Sequence, residues 1–321
     1  MRFLLINHNW FQIPLLNFGH EARICSLEDI HQIAQSDFDV TIIMDDSCPI
    51  NPDAVNLLPG LKCYYMVDTH LHLHCQKLIG SVFDVVFVAQ KADLDEVRRF
   101  NQNAFWLPLF ASIVSVPERK HNRCVFVGNL DRPCHEERKQ FLEKLSKIVP
   151  LEIIKAPWYE LYPTVSIVVN KSIKNDLNFR VFEALSSKCL LITDKTVGLN
   201  DLFVDRCDLV VYDNLNECAE LVEYFLAYPT EAKQIAESGH KKFLEHHTEE
   251  KRALQMLEYL KNKKERRVND RERALARLGY ILWLFKIASA NGQLEAANAL
   301  LKQSAAVLTD FNISWHDLGL T

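Results

Sequence analysis

The residues best suited to chemistry lie between Asn170 and Phe203. The stretch after Val169 carries Asn170, Ser172, Asn175, Asp176 and Asn178 within nine positions. All are groups that hydrogen-bond hydroxyls and phosphates. A helix is expected to begin near Asp176 or Leu177, and its unpaired N–H groups can bind an anion. On that helix Arg180 and Glu183 are three apart and share a face. A carboxylate accepts two hydrogen bonds from vicinal ribose hydroxyls, and an arginine neutralises phosphate. Together they suit a sugar nucleotide. A helix cap followed by an i,i+3 ion pair accounts for the same residues, and the chemistry alone leaves both open.

A second cluster is Asp68-Thr69-His70-Leu71-His72-Leu73-His74, after the apolar run Cys63–Val67. Asp68 and His70 fall at the carboxyl end of a predicted strand, where open α/β sheets bind ligands. His70 can act as a base or hydrogen-bond a hydroxyl, with Asp68 orienting it. Asp68 and Thr69 are also good helix caps, with His72 and His74 on the helix that follows. The same string resembles the Asp-x-His-x-His element of metal-dependent amidohydrolases, which requires an eightfold barrel and further histidines at strand ends. The later histidines fall mostly in helical or linker segments.

Elements must hold these groups. Candidate strands are Phe3–Ile6, Ala22–Cys25, Val40–Met44, Cys63–Val67, Val85–Ala89 and Phe105–Leu107. A second series comprises Cys124–Gly128, Leu151–Lys155, Val165–Asn170, Cys189–Thr193 and Leu209–Tyr212. Amphipathic segments lie between them, among them Leu27–Gln35, Lys91–Phe100, His135–Ile148 and Leu215–Ala227. Alternation of this kind predicts α/β architecture with parallel sheets covered by helices on both faces. Pro108 to Asn122 separates the series as a linker. Two facing, doubly wound Rossmann-like domains are therefore expected, over 1–112 and 122–260, followed by a helical extension over 261–321 capping the second domain. In that extension Asn291-Gly292 breaks a long helix, and Lys261 to Arg277 holds eight basic and three acidic residues. That segment predicts a solvated helix face, or else contact with an anionic membrane surface or a protein.

Composition narrows the classes. The chain has 321 residues, 48% hydrophobic and 25% charged, with formal net charge −5, so nucleic acid is not an expected partner. Only nine glycines occur, and neither G-x-G-x-x-G nor G-x-x-x-x-G-K-[ST] is present. Nine scattered cysteines without C-x-x-C spacing, two of them (Cys124, Cys189) in apolar strands, predict buried reduced thiols and a cytoplasmic address. Met1 to Asn7 reads as a first strand rather than a leader.

The run Asn175-Asp176-Leu177-Asn178-Phe179-Arg180-Val181-Phe182-Glu183-Ala184 resembles the C-terminal signature of GT-B glycosyltransferases, specifically the CgeB-like (spore maturation protein) group. So do Gly198-Leu199-Asn200-Asp201-Leu202-Phe203, Asp208 to Asp213, Ile235 to His240 and Cys124 to Asn129. The resemblance spans roughly 60–260 and is strongest over 123–257. It implies metal-independent transfer of a hexosyl group from a nucleotide sugar held in an interdomain cleft. No cofactor is implied, since the nucleotide sugar is a substrate, and the acceptor is unspecified. Glu183 would take the ribose hydroxyls. The loop from Gly128 to Arg132, with Arg138 beyond, would approach the diphosphate, and Asp176 and Asn178 would face the sugar. His70 would stand near the reacting carbon. The wider retaining group carries a glutamate eight positions before the one at Glu183; here that place holds Asn175. The departure suits an alternative, a non-catalytic GT-B-like binding or scaffold protein.

Overall fold

A computed structural model describes residues 1–29 and 37–319. Two compact units emerge, one of residues 1–107 with 255–321 and one of residues 108–254. In the first, six strands run β1 (Arg2–Ile6), β2 (Glu21–Cys25), β3 (Val40–Met44), β4 (Leu61–Met66), β5 (Val85–Val88) and β6 (Ala104–Trp106). All pair in parallel, in the order β2-β1-β3-β4-β5-β6. In the second, β7 (His121–Val127), β8 (Leu151–Ile154), β9 (Val165–Asn170), β10 (Leu190–Asp194) and β11 (Val210–Tyr212) form a parallel sheet ordered β11-β10-β9-β7-β8.

Both sheets thus reverse direction of winding once, between β1 and β3 and between β7 and β9. Such a reversal opens a crevice at the carboxyl ends of the two central strands. The strands that flank each crevice are almost wholly buried: Phe3 to Ile6 and Val40 to Met44 in one unit, Cys124 to Val127 and Ile167 to Asn170 in the other. Unalternating apolar runs are what a sheet covered on both faces requires.

All eleven expected strands are present. Helices of eight or more residues among the described ones are α1 (Thr69–Ile79), α2 (Glu136–Leu145), α3 (Phe179–Ser186), α4 (Leu215–Ala227), α5 (Pro229–His246), α6 (Glu249–Leu260), α7 (Asp270–Ala290) and α8 (Leu294–Asp310). Of the expected helix over Leu27–Gln35, a short 3-10 turn covers Leu27–Asp29, and the part beyond residue 29 lies outside the described residues. No described helix is long and apolar enough to cross a membrane.

Two expectations need correction. First, the division of the chain differs from 1–112, 122–260 and 261–321. Residues 108–112 cluster with the second unit, and everything from Gln255 on clusters with the first. The terminal helices thus belong to the first unit, where α7 packs against α1. Gly279 makes this possible, because a Cβ there would lie 2.7 Å from the Cys75 carbonyl oxygen and 2.8 Å from Leu78 Cβ. Trp283 is buried and stacks on His72 at 4.7 Å. Much of the basic segment is engaged within the unit. The Arg266 side chain donates to the Phe83 and Ser81 carbonyls and pairs with Glu272, and Arg277 reaches Asp53 at 3.4 Å. Second, both sheets are open rather than closed into a barrel, and His70 and His72 lie on α1 rather than on one strand. The metal-dependent amidohydrolase reading fails on both counts.

Candidate functional site

The crevice between β7 and β9 gathers most of the singled-out residues. β7 ends at Val127, and Gly128 follows it. β9 ends at Asn170, and the loop to α3 follows. That loop is closed by Asp176, whose carboxylate accepts from the Ile173 N–H at 2.6 Å while its own N–H bonds the Ile173 carbonyl. Lys174 and Asn175 take left-handed backbone angles inside the turn. This turn delays the helix: α3 starts at Phe179, with Asn178 as its cap residue, two or three positions later than expected.

Arg180 is the hub. Its Nε donates to the Val127 carbonyl at 2.9 Å and its Nη1 to Asn170 Oδ1 at 2.8 Å. Its guanidinium lies 4.3 Å above the Phe126 ring, a cation–π contact. Gly128 leaves room for it: a Cβ at 128 would stand 2.6 Å from Arg180 Nη2 and 3.1 Å from the Phe126 ring. The backbone at Gly128 is ordinary, so glycine is needed here for space and not for its torsion angles.

Arg138 approaches the same ring at 6.0 Å from α2. It is buried, donates from Nε to the Lys171 carbonyl, and is pushed down to about 10 by burial, with Arg180 adding to the shift. Neither arginine pairs with a carboxylate among the described residues. Asp176 and Asp194 act on Arg138, and Glu183 on Arg180, without a direct ion pair, and two neighbouring guanidiniums so placed favour a bound anion. Arg132 is exposed in the loop that precedes α2.

Glu183 sits one turn beyond Arg180 on α3 and is half-buried. Its carboxylate has no hydrogen-bond or ion-pair partner among the described residues. The i,i+3 ion pair that the sequence left open is therefore not formed. Burial raises its carboxyl to about 7, against the opposing influence of Arg180. A carboxylate in this state is an acceptor awaiting donors.

Other expected contacts prove internal. Asn170 is fully buried. Its Nδ2 donates to Thr193 Oγ1 at 2.9 Å, and its carbonyl accepts from the Tyr212 hydroxyl at 2.8 Å. It orients Arg180 rather than facing open space. Ser172 is bound to Asp194 twice, through its N–H at 2.9 Å and its Oγ at 2.5 Å. Asp194, which also pairs with Lys171 at 3.1 Å, is the anchor that sequence reasoning missed. It lies 22 residues away, where no local spacing signals it. Asn178 has a buried Oδ1 without a partner. His135 and Tyr162 were also missed. Each is buried with one polar atom unpartnered, and each is within electrostatic reach of Arg180.

In the first unit, Asp68 caps α1 with its backbone only, while its carboxylate accepts from Ser47 Oγ at 2.6 Å. It makes no hydrogen bond to His70 among the described residues, so it does not orient that ring as expected. Asp45 holds the turn instead, accepting from the N–H groups of Ser47, Val67 and Asp68 and from Gln76 Nε2 at 2.6 Å. His70 is half-buried and has a buried Nδ1 without a partner. His72 and His74 lie on α1 as expected, with His72 held between Trp283 and Lys286 and pushed down to about 4 by burial and then by Lys286.

Residues 118–258 match a family model described as glycosyl transferase-like. No curated protein matches the chain by sequence. Among solved structures, the chain is similar to a glycosyltransferase from Rickettsia africae ESF-5, at 13% identity over 81% of this chain and 98% of that one, with a TM-score of 0.56. It is similar to sucrose-phosphate synthase from Thermosynechococcus elongatus at 10% identity, over 81% and 98% of the two chains, with a TM-score of 0.60. Anabaena HepE, solved with UDP and glucose, is 11% identical over 81% and 99%, with a TM-score of 0.54. At such identities the likeness is one of fold: two Rossmann-like units, as in GT-B glycosyltransferases.

Proposed function

We propose that this protein transfers a sugar from a nucleotide-activated donor to a hydroxyl-bearing acceptor, with the donor held by the second unit. The observation that carries the proposal is the combination of Glu183, a carboxylate without a hydrogen-bond or ion-pair partner among the described residues, with Arg180 and Arg138, two neighbouring guanidiniums in no direct ion pair. The match of 118–258 to a glycosyl transferase-like model and the UDP and glucose bound by the Anabaena protein support it. The kinship with CgeB-like enzymes, carried by residues 175–184, belongs to the same proposal.

In this proposal Glu183 accepts from the two ribose hydroxyls, and the free N–H groups of Arg180 and Arg138 hold the diphosphate, with Arg132 adding charge from the loop. Asn178 and Asp176 face the sugar. During transfer the bond from the anomeric carbon to the diphosphate oxygen breaks and one to the acceptor oxygen forms. The arginines stabilise the charge that develops on the departing diphosphate. His70, on the first unit, is assigned to take the acceptor's proton. None of these residues needs a metal for its part.

A thermal-shift series with UDP-, GDP-, ADP- and dTDP-sugars tests the proposal. A donor at about 100 times its dissociation constant stabilises the fold by about 2.7 kcal/mol. Stabilisation by one of them, with slow release of the nucleoside diphosphate to water, is the expected result. Stabilisation without release points instead to a binding module, the role that Asn175 in place of a glutamate would suit.

A further inference from the structure

The amino ends of β7 and β9, opposite the crevice, border a cavity of about 870 Å³ within the second unit. Small-molecule sites span roughly 300–1,000 Å³. β7 is seven residues long, so at about 3.3 Å per residue about 20 Å separates this cavity from the crevice. Arg119, Lys120, Lys188 and Lys233 line it, together with one carboxylate, Glu118. Glu237, on α5, pairs with Lys188 at 3.0 Å and lies 4.0 Å from Lys233. Four cations against these two carboxylates leave an excess of two positive charges. Lys120 is a fixed charge, its Nζ donating to the carbonyls of Tyr162, Val165, Ser187 and Lys188. Arg119 is exposed and has no hydrogen-bond or ion-pair partner among the described residues. Neutral polar groups come from Asn122, Ser166 and His240. His240 Nδ1 lies 2.8 Å from the Leu185 carbonyl, which can only accept, so Nε2 of the neutral ring is left as an acceptor.

We infer that this cavity binds a small phosphorylated sugar, as a second ligand site distinct from the crevice. A phosphate monoester carries about −1.5 to −2 charge at pH 7, which matches the excess. Arg119 offers a guanidinium fork for two phosphate oxygens, with Lys233 and Lys188 as point charges. Asn122, Ser166 and His240 supply the mixture of donors and acceptors that a ring of hydroxyls requires. Inorganic phosphate would leave most of the volume to water, whereas a hexose phosphate fills more of it. No covalent bond changes. The inference is independent of the donor reading, since none of these residues belongs to the crevice.

Calorimetry on the full chain in dilute buffer, with glucose 6-phosphate, inorganic phosphate and glucose as probes, tests it. Glucose 6-phosphate should bind the wild type about tenfold more tightly than inorganic phosphate does, the worth of one or two hydrogen bonds, and glucose should not bind. R119E/K233E should lose about 100-fold or more of the affinity for glucose 6-phosphate, since two charge-assisted contacts go. K144E/K147E makes the same change in net charge outside the cavity lining and should lose about threefold at most. Wild-type affinity in R119E/K233E, an equal loss in K144E/K147E, or no binding of glucose 6-phosphate by the wild type overturns the inference. Inorganic phosphate binding as tightly as glucose 6-phosphate overturns the ligand class. Arg119 and Lys233 are both exposed, so the fold should survive their reversal. If the melting temperature of R119E/K233E falls, R119Q/K233Q takes its place with about tenfold loss expected, and undiminished affinity there overturns the inference. Failure of every nucleotide sugar to stabilise the fold would overturn the donor site and leave this one standing.

Discussion

Arg180 and Asn170 form the join on which the candidate site depends, with Nη1 of the arginine 2.8 Å from the buried amide oxygen. Asn170 is itself fixed by Thr193 on β10 and by the hydroxyl of Tyr212 on β11. Three strands of the sheet thus set the angle of one guanidinium at the end of a fourth. Asn170→Ala should leave Arg180 held by the Val127 carbonyl and the Phe126 ring alone, and it removes the amide that donates to the Thr193 hydroxyl. Weaker donor binding together with a loss of about 1–3 kcal/mol of stability is expected, measured by calorimetry and denaturant unfolding.

Glu183→Ala should weaken nucleotide binding by about 1–3 kcal/mol, the cost of losing a charge-assisted acceptor. Calorimetric affinities for the whole nucleotide diphosphate series that match the wild type would remove Glu183 from the donor site.

The Glu183 carboxyl, near 7 in the fold against an ordinary 4.5, also makes stability depend on pH. Between those values the folded chain holds a proton that the unfolded chain has released. Stability should therefore fall as pH rises from about 4.5 through 7, and Glu183→Gln should flatten that slope. The unfolding midpoint of both proteins across this range is the measurement.

Gly128→Ala sets a methyl group 2.6 Å from Arg180 Nη2, the far end of a flexible side chain. The arginine can swing away, so the fold should keep its melting temperature to within a few degrees. Donor affinity should drop by about 1.5–3 kcal/mol, as for a lost hydrogen bond to a charged group. An unchanged dissociation constant would show that the guanidinium does not contact the donor.

His70→Ala should bind donor as the wild type does and transfer sugar more slowly, by about 100-fold or more, the usual scale for a general base. Single-turnover assays at saturating donor read this directly, and undiminished turnover would take His70 off the acceptor side.

Most of the framework was legible in the chain because it is written in local runs. Apolar stretches such as Val40–Met44 and Val165–Asn170 could be nothing but doubly covered strands, and each strand was found within a few residues. Arg180 and Glu183 were legible because their spacing sets one helix face. What failed was non-local. The start of α3 moved because Asp176 closes a turn that helix-start rules do not foresee. Ser172 and Asn170 were read as ligand contacts, but their partners Asp194 and Thr193 lie more than twenty residues on. The place of α7 was hidden because Gly279 looks like any helical glycine until Cys75 and Leu78 are beside it.

The scarcity of glycine leaves a mark on how this crevice can meet a phosphate. Glycine-rich loops bring backbone amides up to the anion as a cradle of neutral dipoles. Here the glycine at 128 instead makes a berth for a formal charge, and a second charge from α2 shares the same aromatic floor. Affinity built from ions rather than from amide dipoles is sensitive to background electrolyte. The parts of the guanidiniums that remain open to solvent are screened by mobile ions over roughly 8 Å at physiological ionic strength. The same crevice would therefore hold its nucleotide loosely in brine and firmly in dilute buffer.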